Sequence, residues 1–244
     1  PTVKITDLAQ LIRVGHEAGA ICVVDNTFAT PVIQNPIAFG ADIVIHSATK
    51  FLGGHADALG GIAVGRQDLI KQIFHFREIN GATLDPMAAY LLLRGMKTLH
   101  LRIKQQSESA MKIARFLKTQ PLVDKVFYPG LETHVHHEIA KKQMKMFGGM
   151  LSFSLKGDID AVRLFLPKLK FAHLAANLGA VETVAGPART TSHVECTPEE
   201  RAALGIPESL IRYSVGIEDT EDLIQDLKQA LDFVAEKMPA VLSS

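Results

Sequence analysis

Lys50 is the one lysine in this chain set among residues that could hold a phosphate. Ser47, Thr49, Gly53, Gly54 and His55 surround it, and no other charge appears until Asp57. Small hydroxyl residues and glycines around one amine suit a phosphate-bearing ligand that the backbone approaches closely. A partly desolvated lysine can also form a Schiff base with a carbonyl. Upstream, the apolar run at Val23-Val24 ends in Asp25-Asn26-Thr27. The chief cofactor that uses lysine in this way is pyridoxal phosphate. It needs an amine, a carboxylate at its pyridine nitrogen, and donors for its phosphate. Lys50, Asp25, and the hydroxyls of Ser47 and Thr49 can supply these in turn. The ordinary reading of each residue alone stays open: a lysine after a strand is commonly solvated, and an aspartate there commonly caps a helix or turn. No GxxxxGK precedes Lys50, and no GxGxxG follows the first apolar run, so neither a Walker A loop nor a dinucleotide fingerprint is present.

These residues must be carried to one place by their elements. Ile21 to Asp25 and Asp42 to His46 are short unbroken apolar runs rich in β-branched residues, with helical material between them. That is the texture of buried parallel strands. Asp25 and Lys50 then lie just past carboxyl-terminal strand ends, where open α/β sheets bind ligands. Thr6 is expected to cap a helix from Asp7 to about Ala18, with Gly19 after it. Pro31 and Pro36 mark a loop and short helix, and a glycine-rich stretch, Gly53 to Gly61, leads to a short strand Ile62 to Val64. Asp85-Pro86 starts a helix; Gly95 bends or breaks it, and helical pattern resumes from Lys97 to about Leu117. A stretch that long suits a bridge between two domains.

Past Gln120-Pro121 the texture changes. Strands are expected at Lys125 to Tyr128, Met150 to Leu155 and Leu210 to Val215. Helices are expected at Glu138 to Met146, Asp160 to Leu166, Glu199 to Leu204 and Glu221 to Glu236. Thr197-Pro198-Glu199-Glu200 is a capping box with proline at the first helical position. The expected architecture is α/β: a mainly parallel-sheet domain over residues 1–103, then a smaller α+β domain over 104–244.

Arg212 interrupts the apolar strand Leu210 to Val215. It is either an outward residue of an alternating strand or a bidentate clamp for a substrate carboxylate. Asn177, before Leu178-Gly179, is a turn residue on its own. His134, His136 and His137 lie in a polar loop with no cysteine or carboxylate at ligand spacing, so no metal is expected there. Acidic and basic residues balance at 26 each, which argues against a nucleic-acid partner. No apolar run reaches the ~18 residues of a membrane span. Cys22 and Cys196 are far apart, which fits free thiols in a reducing, cytoplasmic compartment.

Several stretches carry a family resemblance: VVDNTFATP at 23–31, HSATKFLGGHAD at 46–57, YLLLRGMKTLHLR at 90–102, YPGL at 128–131, KKQM..FGGMLSF at 141–153, LGAVET at 178–183 and LIRYSVGIED at 210–219. Together they resemble the Cys/Met-metabolism family of pyridoxal-phosphate enzymes, over nearly the whole chain and in order. That family includes cystathionine γ-synthase, cystathionine γ-lyase, methionine γ-lyase and the O-acylhomoserine sulfhydrylases. The resemblance implies the aspartate-aminotransferase-like fold (fold type I) and γ-elimination or γ-replacement on a sulfur amino acid or an O-acyl-homoserine. It places the Schiff-base lysine on Lys50, the pyridine-nitrogen aspartate on Asp25, a hydroxyl beneath the ring on Thr27, phosphate-binding hydroxyls on Ser47 and Thr49, and the carboxylate-binding arginine on Arg212. Asn177 stands where the family usually has serine, and an amide there can still donate a hydrogen bond. The resemblance further implies a homo-oligomer, typically a tetramer. It also implies an upstream segment, outside this chain, with a phosphate loop and aromatic groups that complete the site. A non-catalytic piece and a nucleotide-binding oxidoreductase are the other classes the residues leave open.

Overall fold

The computed structural model describes residues 1–242. Asp7 accepts from the Gln10 N–H and starts α1 (Leu8–Glu17), so the cap falls one residue later than Thr6. A carboxylate at that position also suits the electropositive first turn. Leu8 and Ile12 point inward to Ala41 and Val44. The chain then forms β1 (Val23–Asp25), α2 (Thr30–Ile33), β2 (Ile43–Ser47) and β3 (Gly61–Gly65). β1 and β2 are parallel neighbours, with Asp25 opposite Ile45, so the two expected strands do share a parallel ladder, but β1 is not buried as expected: Val23 is 52% exposed at this sheet edge. β3 runs antiparallel to β2, with Ser47 opposite Gly61.

Asp42, expected as a strand residue, instead sits just before β2 as a hub. Its Oδ2 accepts from the Cys22 N–H at 2.8 Å and meets His16 Nε2 at 2.9 Å, while Oδ1 accepts from Arg66 Nη1 at 3.0 Å. One carboxylate thus ties α1, the entry to β1, and the residue after β3. The Cys22 N–H, then His16 and Arg66, hold its carboxyl well below the usual carboxylate range. A depressed folded-state value means that the folded chain binds fewer protons than the unfolded one. The stabilisation is therefore fully present above about pH 4, the unfolded value, and is lost as pH falls below it. Thermal melts from pH 7 down to pH 3 should show Asp42→Asn less stable than the parent at pH 7, with a shallower loss on the acid side. Parallel curves would refute this role.

After β3 come α3 (Gln67–Asn80), α4 (Pro86–Met96) and α5 (Leu99–Lys118). Asp85 caps α4 by accepting from Met87 and Ala88, as its sequence signature implies. α3 was not foreseen. Only Leu69 of it is buried, while Ile73, Phe74, Phe76 and Ile79 stay exposed. Its apolar residues spread widely around the helix, so no narrow core-facing stripe marks it in the sequence. α5 packs at both ends. Leu99 and Ile103 join Phe51, Leu52 and Leu178; Ala110, Ile113, Ala114 and Leu117 join the core of the second sheet.

That second sheet is built from β4 (Val123–Phe127), β5 (Met150–Leu155), β6 (His173–Leu174), β7 (Val184–Pro187) and β8 (Leu210–Ser214), in spatial order β4-β5-β8-β7-β6. All pairs are antiparallel except β6 with β7. Every residue of β5 is buried. α6 (His137–Gln143), α7 (Asp158–Phe165), α8 (Ala188–Thr191), α9 (Pro198–Ala203) and α10 (Thr220–Lys237) complete the fold. The capping box at Thr197 and Glu200 forms as read. β6 and β7 escape the sequence because one is two residues long and the other contains Gly186 and Pro187. Among the described residues, no helix is long and apolar enough to cross a membrane.

Candidate active site

β2 delivers Ser47 into a tight turn, Ala48–Leu52, in which Lys50 alone leaves helical geometry, at φ −89°, ψ −126°. The turn is fixed from several sides. The Ala48 N–H donates to Gly60 O at 2.8 Å, and Thr49 Oγ1 accepts from the Gly60 N–H at 3.0 Å. Ala48 and Phe51 are fully buried. A side chain on Gly95 would start 2.1 Å from Gly53 O, and one on Gly179, which has φ +78°, would start 2.7 Å from Phe51 N. Only glycine at these two positions lets the end of α4 and the loop after Asn177 lie against the turn.

From this turn Lys50 Nζ donates to Asn177 Oδ1 at 2.7 Å. Asn177 also works through its backbone, where its carbonyl accepts from Arg212 Nη2 at 3.2 Å. Lys50, Asn177 and Arg212 are thus one linked set, although they lie far apart in the sequence. Burial first, and the Arg212 charge second, lower the pKa of the Lys50 amine. Arg212 is the only residue of β8 that is not fully buried. Its strand partners are Ser152 on β5 and Gly186 on β7, two small residues that leave room beside the guanidinium.

A second set lies at the ends of β1 and β2. Asp25 Oδ1 accepts from the Thr27 N–H at 2.9 Å, and Thr27 Oγ1 accepts from the Ser47 N–H at 2.8 Å. One oxygen of Asp25 therefore does the ordinary turn-capping work, and the other has no donor among the described residues. Ser47 joins the two sets, because it ends the strand from which the Lys50 turn departs. Thr49 is different: its hydroxyl is engaged by Gly60. A cavity of about 740 Å³ is lined by Asp25, Asn26, Phe28, Ser152, His193 and Arg212, among others, and by Pro1 to Thr6. Lys50 is not part of its wall, since the amine is turned to Asn177.

These groups fit a pyridoxal phosphate. They comprise a partly desolvated amine with no carboxylate partner among the described residues, a carboxylate with a free oxygen at an adjacent strand end, and an arginine linked to the amine through Asn177. The histidine loop is spent on structure: His134 and His136 each accept from a backbone N–H through Nδ1, and His137 Nδ1 is bonded to Pro129 O. His16, Cys22 and Asp42 come within ligand distance of one another, but that carboxylate is already taken up by Arg66 and the Cys22 N–H.

The model of the Cys/Met metabolism PLP-dependent enzyme family matches residues 1–232. The chain belongs to this family. Among family members, an L-methionine γ-lyase of Fusobacterium nucleatum subsp. polymorphum is 45% identical, over 95% of this chain and 60% of its own length. Cystathionine γ-synthase 1, chloroplastic, of Nicotiana tabacum is 44% identical, over 96% of this chain and 43% of its own. The solved cystathionine γ-synthase of Xanthomonas oryzae pv. oryzae, in complex with aminoacrylate and cysteine, superposes with a TM-score of 0.94 at 42% identity. That match covers 97% of this chain and 61% of the solved one. The chain thus spans about three fifths of the lyase and of the solved synthase. The fold is the type I fold of pyridoxal-phosphate enzymes, as the resemblance implied.

Sequence reasoning missed Arg102, which is 4% exposed and donates to four oxygens around the Lys50 turn. A signal for it exists. Leu99, Arg102, Ile103 and Gln106 share one helical face with Ala110 and Ile113, so two polar residues occupy core-facing positions.

Proposed function

We propose that the complete protein is a pyridoxal-phosphate-dependent lyase or transferase acting by γ-elimination or γ-replacement on a sulfur amino acid or an O-acyl-homoserine. The observation that carries this reading is the Lys50 amine. It is partly desolvated, held 2.7 Å from the Asn177 amide oxygen, and linked through Asn177 to Arg212. Bound pyridoxal phosphate supplies the aldehyde that Lys50 holds and a ring that withdraws electrons from the substrate's Cα.

The other steps belong to the chain's own residues. Asp25, with its free oxygen, keeps the ring nitrogen protonated. Thr27 supports the ring from below, and Ser47 and Thr49 face the phosphate, Thr49 through whatever its bond to Gly60 leaves available. Arg212, helped by Asn177, fixes the substrate carboxylate by a bidentate contact. Lys50 Nζ takes the Cα proton, and its lowered pKa keeps a larger share of it unprotonated near neutrality. A further proton must leave Cβ before the γ-substituent can depart with its bonding pair, and the same amine returns a proton when the product forms. Neither elimination nor replacement needs a different set of residues here, because the two diverge only in whether water or a thiol enters.

The active form is proposed to be a homotetramer completed by a segment outside this chain. Leu59, Phe76, Ile79, Met87 and Leu93, all more than half exposed, support an apolar surface that a neighbour covers. The division into domains at residues 103 and 104, inside α5, belongs to the proposal. So does a reducing, cytoplasmic setting, for which the free Cys22 and Cys196 speak. The test is product analysis of the complete protein with methionine, cystathionine, cysteine and O-acetylhomoserine in parallel, each with and without an added thiol. A 2-oxo acid with ammonia, or a new thioether when thiol is present, is the expected product. No product from any of these donors would overturn the reading.

A further inference from the structure

Arg102 carries its charge in the interior, and among the described residues it has no ion-pair partner. Desolvation lowers its pKa, yet guanidinium stays protonated at any working pH. Burying such a charge without a carboxylate is costly unless its donors are well used. They are: Nη1 donates to Phe51 O at 2.8 Å, Nη2 to Leu52 O at 3.2 Å and to Gly95 O at 2.8 Å, and Nε to Thr98 Oγ1 at 3.1 Å. Three backbone carbonyls and one hydroxyl converge on one planar group. Two of those carbonyls belong to the residues immediately after Lys50, and the third ends α4.

We propose that Arg102 is a positioning residue for Lys50: by clamping the Phe51 and Leu52 carbonyls against the α4–α5 junction, it fixes the turn from which the amine reaches Asn177. Gly54 completes the fit, since a side chain there would start 2.1 Å from Arg102 Nη1. Lysine cannot reproduce the clamp. Its ammonium is a point donor on a flexible stem, whereas the guanidinium is a fixed fork that reaches several acceptors at once. The lysine reach matters because a misplacement of about 1 Å can cost about 10²-fold in rate. The groups that face the Lys50 amine are Asn177, by hydrogen bond, and Arg212, by charge; Arg102 bonds to neither side chain.

The inference rests on the function proposed above, and its test separates the two. In the complete protein, Arg102→Lys and Thr98→Val are compared with the parent. Thr98→Val removes the Nε acceptor and the hydroxyl's own bond to Gly95 O, but leaves the guanidinium and its three carbonyl contacts, so it perturbs folding less. Two readouts are used. The first needs no cofactor: competitive acetylation of Lys50 against exposed Lys71, followed by peptide mass mapping. Freed from Asn177, the Lys50 amine in Arg102→Lys should react about three- to tenfold faster relative to Lys71, the worth of one lost hydrogen bond. The second is kinetic: kcat should fall at least about tenfold with KM changed less than about threefold, because the substrate clamp is untouched. Thr98→Val should shift both in the same direction by a smaller factor, and it carries the test where Arg102→Lys does not fold. Unchanged Lys50 reactivity and kcat in a folded variant would overturn the positioning role. A parent protein that binds no pyridoxal phosphate would overturn the proposed function and leave the acetylation result standing by itself.

Discussion

Lys50→Ala should remove the long-wavelength absorption that a pyridoxal aldehyde gains on condensing with an amine, and turnover should fall at least about 10³-fold with it. The size follows from asking one amine to do two jobs. In the proposed mechanism it holds the cofactor and moves the proton at Cα; positioned proton transfer alone is worth about 10²–10⁴-fold. The fold should survive, because the lysine side chain makes one hydrogen bond, to Asn177, while the turn around it is held by Gly60, Phe51 and Arg102. A melt of Lys50→Ala close to that of the parent would confirm that the loss is chemical. Full activity in the variant would place the chemistry on another residue.

Arg212→Lys should lower kcat/KM for an amino-acid substrate about 10²-fold, mostly through KM. The charge stays, but the fork that grips both carboxylate oxygens is lost, and each hydrogen bond to a charged group is worth about 1.5–3 kcal/mol, or about tenfold or more. Arg212→Met should do the same to kcat/KM and should also move a pH limb. Arg212 lowers the Lys50 pKa, so its removal raises that pKa. The amine is free in the substrate complex, which the kcat profile reports, so the limb of that profile that marks loss of the amine's proton should shift to higher pH in Arg212→Met and stay near the parent's in Arg212→Lys. A shift in the opposite sense would contradict the link between the two residues. Equal KM values in all three proteins would remove Arg212 from the substrate site.

The parallel pair β1 and β2 was legible because Val23-Val24 and Ile43-Val44-Ile45 are β-branched runs that end in polar clusters. α4 and α9 were legible from their caps, Asp85 and Thr197, which form the bonds their spacing implies. Lys50, Asp25 and Ser47 could be picked out as candidates because a strand end concentrates its chemistry within a few residues. The bond from Lys50 to Asn177, and Asn177's bond to Arg212, could not be read from spacing, since 127 and 35 residues separate the partners. Such contacts are set by how the second sheet docks against the first, which no local pattern encodes. α3 stays hidden because its apolar residues, Leu69, Ile70, Ile73, Phe74, Phe76 and Ile79, spread widely around the helix instead of forming one stripe. Asp42 was read as strand because its side chain is polar but its neighbours are not; its role as a hub comes from His16 and Arg66 arriving from elsewhere.

One amine, Lys50 Nζ, is proposed to hold the aldehyde of pyridoxal phosphate. Borohydride reduction of the complete protein with its cofactor, then proteolysis and mass mapping, reads this directly. A single pyridoxyl-phosphate adduct is expected, on the peptide that contains Lys50. An adduct on another lysine, or a scatter over exposed ones such as Lys4 and Lys71 with Lys50 unlabelled, would contradict it.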